Sequence, residues 1–174
     1  MTKQEIKNKL TENHHRLIDL VLSLSDTDFL HSANGKWTAG QQLDHICRSV
    51  YPVRLAFSLP RFMLSLFFGK SNRPSRDYDE LVAKYLKKLE GNYQVAERFV
   101  PKPVQPDKII KLKDELLKAI DSLNKNIDKY SEERLDKQIL PHPLLGKLTL
   151  REMLYFTIYH AEHHRKLVLQ YLGR

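Results

Sequence analysis

Apolar residues recur at helical spacing along most of the chain. Between residues 3 and 24, Ile6, Leu10, Leu17, Leu20, Val21 and Leu24 are set at intervals of three, four and seven, which predicts an amphipathic helix. Asp26 and Asp28 begin a short polar link. Trp37 and Thr38 open a second helix, with Thr38 as its N-cap, running to about Ser58 through an interior Pro52 that should bend it or remove one backbone bond. An apolar segment follows to Phe68, then the turn-rich, basic loop GKSNRPSRD. Residues 78–90 read as a shorter helix and VPKPVQPDK (100–108) as a stiff connector. A third long helix, from about Asp107 to Tyr130, has Ile109, Ile110, Leu112, Leu116, Leu117, Ile120, Leu123 and Ile127 on one side. After the Pro- and Gly-bearing link LPHPLLGKLT (140–149), Thr149 and Glu152 form a capping box for the last helix.

Little else reads as strand, and no repeat or low-complexity segment interrupts the pattern. Four long helices with apolar stripes predict an all-α fold, a four-helix bundle with an additional short helix between helices two and three, in a single domain spanning 1–174.

Composition narrows the function classes. The single cysteine, Cys47, rules out an intrachain disulfide and suits a reducing compartment, and the N-terminus has no apolar signal region. The longest greasy stretch, 55–68, is broken by Pro60 and Arg61 and is too short to span a bilayer, so no stable membrane insertion is expected. These features predict a soluble, cytoplasmic protein. The net charge of +8 invites a nucleic-acid reading. However, the lysines are dispersed along helical faces beside acids, and no zinc-finger spacing, aromatic RNA-binding motif or Arg-rich run appears, so no nucleic-acid partner is expected.

The chemistry concentrates near the C-terminus, in YHAEHHRKL (159–167). His160 and His164 are four apart and project from the same side of the last helix, interrupting an apolar seam that resumes on either side. Two imidazoles so placed can converge on one zinc or nickel ion, given a third ligand from another helix. His163 is turned away from that pair. His14 and His15 are adjacent, so at most one faces inward, and a solvated pair is expected. His31 and His142, in loop-like contexts, are expected at the surface. His45 shares a small, polar helical face with Thr38, Gln41, Ser49, Pro52 and Ala56; its periodicity permits a ligand role without requiring one.

KWTAGQQLDHI (36–46) and HPLLGKLTLREMLYFTIYHAEHHRKLVL (142–169) resemble the two signature regions of the DinB-like (DinB/YfiT) superfamily. The resemblance implies a four-helix bundle holding a divalent metal, zinc or nickel, on three histidines, which by position are His45, His160 and His164. It also implies frequent homodimers. In some relatives it implies thiol transfer with low-molecular-weight thiols; the reading is therefore a thiol S-transferase or related hydrolase acting on a small-molecule substrate. The alternative is a non-catalytic, stress-associated metal-binding bundle. Gln41, Asp44 and Glu162 are the candidates to support the ligands. Trp37 is expected as a core plug and Cys47 as a buried small residue. The apolar stretch 54–70 could extend the core, form a dimer face or a lid, or touch a membrane surface through Arg61, Lys70, Arg73 and Arg76.

Overall fold

The computed structural model describes residues 1–91 and 94–174, the side chain of Arg61 excepted. Eight α-helices appear among them: α1 (Lys3–Leu22), α2 (Asp26–Leu30), α3 (Ala39–Ser58), α4 (Arg61–Phe68), α5 (Tyr78–Leu89), α6 (Ile109–Ile127), α7 (Glu132–Lys137) and α8 (Leu150–Tyr171). A hairpin of β1 (Ile139–His142) and β2 (Gly146–Thr149) precedes α8. The protein is a helical bundle in which α1, α3, α6 and α8 supply the long members. Three of these begin in capping boxes, Thr2 with Glu5, Thr38 with Gln41 and Thr149 with Glu152, each satisfying otherwise orphaned amides.

Cross-helix hydrogen bonds fix the directions. Arg151 donates to the Met1 carbonyl and Asn13 to the Ile158 carbonyl, so α1 and α8 run the same way. Cys47 contacts the Leu112 carbonyl and Asn126 donates to Ser58, so α3 and α6 also run together. Lys7 pairs with Asp128 and Asn124 with Thr11, setting α1 against α6. Two helices that are consecutive long members yet parallel need a crossover, which must travel back along the ~30 Å of a 20-residue helix. The connection from 59 to 108 does this and carries both α4 and α5. One short helix was expected in this connection and there are two, because the apolar run up to Phe68 closes its own turns.

Two apolar clusters fill the bundle. One contains Leu10, Phe57, Leu123 and Leu154; the other contains Leu17, Leu43, Leu116 and Val168. The polar link after α1 folds into α2, whose Phe29 reaches the second cluster. Gly40 makes this possible: a Cβ there would lie 2.5 Å from the Phe29 ring. The crossover is anchored on α8 by Glu152. Its buried carboxylate accepts two bonds from Arg73 (2.6 and 2.9 Å), two from Arg76 (2.8 Å from the amide, 3.1 Å from the guanidinium) and one from the Thr149 amide (2.9 Å).

Two expectations change here. The link 139–149 is the hairpin, paired from Ile139↔Thr149 to His142↔Gly146, with a three-residue loop closed by Gly146 at φ +75°. Pro141 and Pro143 argued against a strand, but a two-stranded ribbon has a free edge on each side where a missing N–H costs nothing. The stretch 54–70 is divided: Phe57 and Leu64 are core, whereas Phe62, Leu66 and Phe67 are 70%, 74% and 61% exposed. Arg73 and Arg76 both pair with Glu152. No helix among the described residues is long and apolar enough to cross a membrane.

Candidate metal centre

The antiparallel contact of α3 with α8 places His45 opposite the pair one turn apart on α8. His45 Nε2 lies 3.3 Å from His160 Nε2, and His164 Nε2 lies 3.0 Å from the same atom. All three residues are buried, and their ligating atoms fall within 4.8 Å of one another. Two nitrogens about 2.1 Å from one ion are about 3.0 Å apart at a right angle and about 3.4 Å apart at the tetrahedral angle. The spacing therefore fits a divalent ion.

The other ring nitrogens decide which atoms offer lone pairs. His45 Nδ1 donates to the Phe99 carbonyl at 2.7 Å. A carbonyl only accepts, so the proton is on Nδ1 and Nε2 is bare. His164 Nδ1 donates to Gln42 Oε1, and the Gln42 amide is oriented by its own bond to the Trp37 carbonyl at 3.4 Å. Two bare nitrogens thus face His160 Nε2 from both sides. Burial holds His160 and His164 well below the usual 6.5, and the neighbouring imidazoles push in the same direction. His45 is lowered by burial too, with partial compensation from the Phe99 carbonyl and Asp44. Three neutral imidazoles are the form a metal ion binds.

The elements behind these residues are specific. Asp44, next to His45 on α3, accepts from Arg48 at 2.7 Å and from the Lys102 amide at 3.1 Å. That second bond fixes the end of the crossover so that Phe99 presents its carbonyl to His45. Gln41 is occupied in the α3 capping box, and Glu162 in a pair with Arg165 at 2.8 Å. Of the three candidate supporters, only Asp44 contributes, and it does so through the backbone of Phe99 and Lys102. The two groups that touch the clustered rings, Gln42 and the Phe99 carbonyl, were not foreseen. Gln42 had a usable signal: Thr38 and Gln41 have capping-box spacing, which leaves the neighbouring amide free. The Phe99 carbonyl had none.

A cavity of about 740 Å³ opens beside the three rings, walled by Trp37, Tyr85, Phe99, His142 and Phe156 among others. Trp37 is therefore not a core plug; its ring lies 4.9 Å from that of His45, half-exposed at the cavity wall. His142 also departs from its expected surface position and lines the same cavity. His163 offers no nitrogen to the cluster, but its ring lies edge-on to His164 at 5.4 Å and to Tyr85 at 5.6 Å and reaches the cavity wall. His31 and His15 are exposed, but His14 is fully buried, donating to the Leu10 carbonyl at 2.7 Å. The Cys47 thiol is pushed up to about 12 by burial, with Asp44 and Glu115 adding to the shift, and points to a carbonyl of α6.

Neither the curated proteins nor the solved structures yield a match to the chain. A sequence profile described as the DinB superfamily matches residues 9–168, a span that includes the whole of α3 and all three clustered histidines. That span covers most of the sequence, and the chain, a helical bundle with a cluster of three histidines, belongs to the DinB superfamily.

Proposed function

We propose that this protein is a divalent-metal-dependent enzyme, a thiol S-transferase or related hydrolase, in which His45, His160 and His164 hold a zinc or nickel ion. The observation carrying this reading is the convergence of three buried, neutral imidazoles at the wall of a large cavity, with no carboxylate or thiol joining the group among the described residues. When bound, such an ion supplies positive charge and free coordination positions that favour the ionised form of a thiol or water near neutral pH. The chain's own residues do the rest. Gln42 and the Phe99 carbonyl orient two of the rings and keep their protons on Nδ1. Trp37, Phe99 and Phe156 give the cavity an aromatic wall that limits water and accepts an apolar substrate body. Cys47 takes no part as a nucleophile, so the reacting thiol is a small molecule from solution.

A second reading, a non-catalytic metal-binding bundle, is favoured by the burial of all three rings at the α3–α8 contact, where an ion would fasten the helices together. One experiment separates them. Metal content of the purified protein and of His160→Ala is measured, and the loaded protein is screened with small thiols against an electrophile. Metal in the parent and its loss in the variant, together with thiol-dependent turnover, support the enzyme. Metal without turnover, and a melting temperature that collapses on chelation, supports the structural role. Equal metal in both proteins removes the ligand assignment altogether. The exposed Phe62, Leu66 and Phe67 on α4 support self-association as a homodimer, which sedimentation of a Phe62→Ser, Leu66→Ser variant tests.

A further inference from the structure

His142 stands across the Phe156 ring from His160, with centroid distances of 4.2 Å from His142 to Phe156 and 4.6 Å from Phe156 to His160. The hairpin loop holds it there in one state. The amides of Leu144 and Leu145 both donate to His142 Nδ1, at 3.2 and 3.1 Å. An N–H cannot accept, so Nδ1 must offer a lone pair and the ring's single proton is on Nε2. The same geometry excludes the imidazolium, which would point a third N–H at the other two. Burial acts in the same direction, with the charge of Lys84 adding to it, and lowers His142 to about 4. Among the described residues Nε2 has no hydrogen-bond partner, and the ring lines the cavity.

The charges around the cavity point to what that donor meets. Lys36 and Arg98 line it, and among the described residues no aspartate or glutamate does, in a chain with 21 acidic residues. A cavity whose formal charges are all positive, whose wall is mostly aromatic and aliphatic, and which carries a fixed N–H donor suits an anion with an apolar body.

We infer that His142 is a substrate-binding residue whose Nε2–H donates to an oxygen of a carboxylate or comparable oxyanion on a ligand lying along Phe156 and Trp37. This deepens the proposed function, since it rests on the cavity being the substrate site, but it does not require the ion to be present. Its role is to set the position of the substrate's anionic end relative to the three histidines. The donor needs no reorganisation to bind, because the hairpin amides have already chosen the tautomer.

The chain has a single tryptophan, Trp37, on the cavity wall, so its fluorescence reports occupancy directly. The test titrates the full-length protein with octanoate, octylamine and octan-1-ol, before and after chelator treatment, with metal content measured in parallel. Two variants divide the ring's functions: His142→Asn keeps an acceptor in place of Nδ1 but removes the distal N–H, and His142→Gln keeps a donor near the position of Nε2. Octanoate should bind tightest. His142→Asn should weaken it about tenfold, as loss of a hydrogen bond to a charged group does, while His142→Gln retains most of the affinity and octylamine is indifferent to both. Unchanged octanoate binding in His142→Asn, or octylamine binding as tightly as octanoate, overturns the inference. Should the variants fail to fold, nitrogen NMR of the parent imidazole decides: a protonated Nε2 and bare Nδ1 support it, and a protonated Nδ1 overturns it. A parent that lacks metal yet shows the His142-dependent octanoate binding would sink only the enzyme reading. Normal metal content with His142-independent binding would sink only this one.

Discussion

Glu152 connects three parts of the molecule, and removing its charge should unlock them. Its carboxylate caps α8 through the Thr149 amide and holds Arg73 and Arg76 of the crossover against the bundle, with no side-chain exposure of its own. Burial alone would raise its pKa. The Arg73 fork and the amides of Arg76 and Thr149 outweigh burial and hold it at about 2, against a usual 4.5. At about 1.4 kcal/mol per unit, that difference corresponds to roughly 3 kcal/mol of folding stability at neutral pH. An independent route gives the same order: removing one partner of a buried ion pair costs about 3–5 kcal/mol.

Glu152→Gln is the informative change because glutamine can still accept from the Thr149 amide, so the cap survives and only the charge is lost. Urea denaturation followed by circular dichroism should show a loss of about 3 kcal/mol at pH 7, and for a chain of this length a fall in Tm of about 6–12 °C. The sign of the pH dependence follows from the lowered pKa. The parent's advantage is complete above about pH 4.5 and is lost as the pH falls through 2, so it should shrink to roughly 1 kcal/mol by pH 3. A variant within 0.5 kcal/mol of the parent at pH 7, or a gap unchanged between pH 7 and pH 3, would refute the account of Glu152 as the crossover's anchor.

Other consequences are equally direct. Gln42→Leu, which leaves His164 Nδ1 without its acceptor, should weaken zinc binding about 10- to 100-fold by calorimetry while the fold is retained; unchanged affinity would mean the ring needs no such support. Gly40→Ala should destabilise despite the ~1 kcal/mol gained in helix propensity, because its Cβ would lie within 2.8 Å of two Phe29 ring atoms, and Phe29→Leu should relieve it in a double-mutant cycle. His14 is buried with Nε2 unpartnered and lowered to about 4, first by burial, so folding loses stability as pH falls from 6.5 towards 4. His14→Leu should therefore be near neutral at pH 7 and about 2 kcal/mol more stable than the parent at pH 5, read from urea midpoints.

Much of this architecture is legible in the hydrophobic pattern because a long amphipathic helix states its inward face many times. α1, α3, α6 and α8 each repeat that statement over five turns, and the caps at Thr38 and Thr149 announce their starts locally. His160 and His164 are legible for the same reason: polar residues on an apolar seam contradict their surroundings. His14 escaped although it lies on the same helical face as Leu10, because its neighbour His15 suggested a solvated pair. Short elements escaped because a few residues cannot establish a period. β1 and β2 were further disguised by Pro141 and Pro143, and with the hairpin went the position of His142. For Trp37, ring size suggested burial, whereas the packed helices leave it beside a cavity that no single helix encodes.

The hardest feature to read from the sequence is the one on which the site depends. His45 is pinned not by a long helix of the bundle but by the Phe99 carbonyl, 54 positions away in a short 3-10 turn late in the crossover. That crossover exists because α3 and α6 run in the same direction, a choice of topology with no signature in either helix. Once it is made, the returning segment must pass over the open end of the α3–α8 contact, and the adjacent residues Asp44 and His45 take hold of it at Lys102 and Phe99. The connection that helix direction requires therefore orients one imidazole and helps wall the cavity. Lengthening the proline-rich connector by a few residues should loosen the His45 ring before it affects the bundle, and zinc affinity should fall while helix content measured by circular dichroism stays constant.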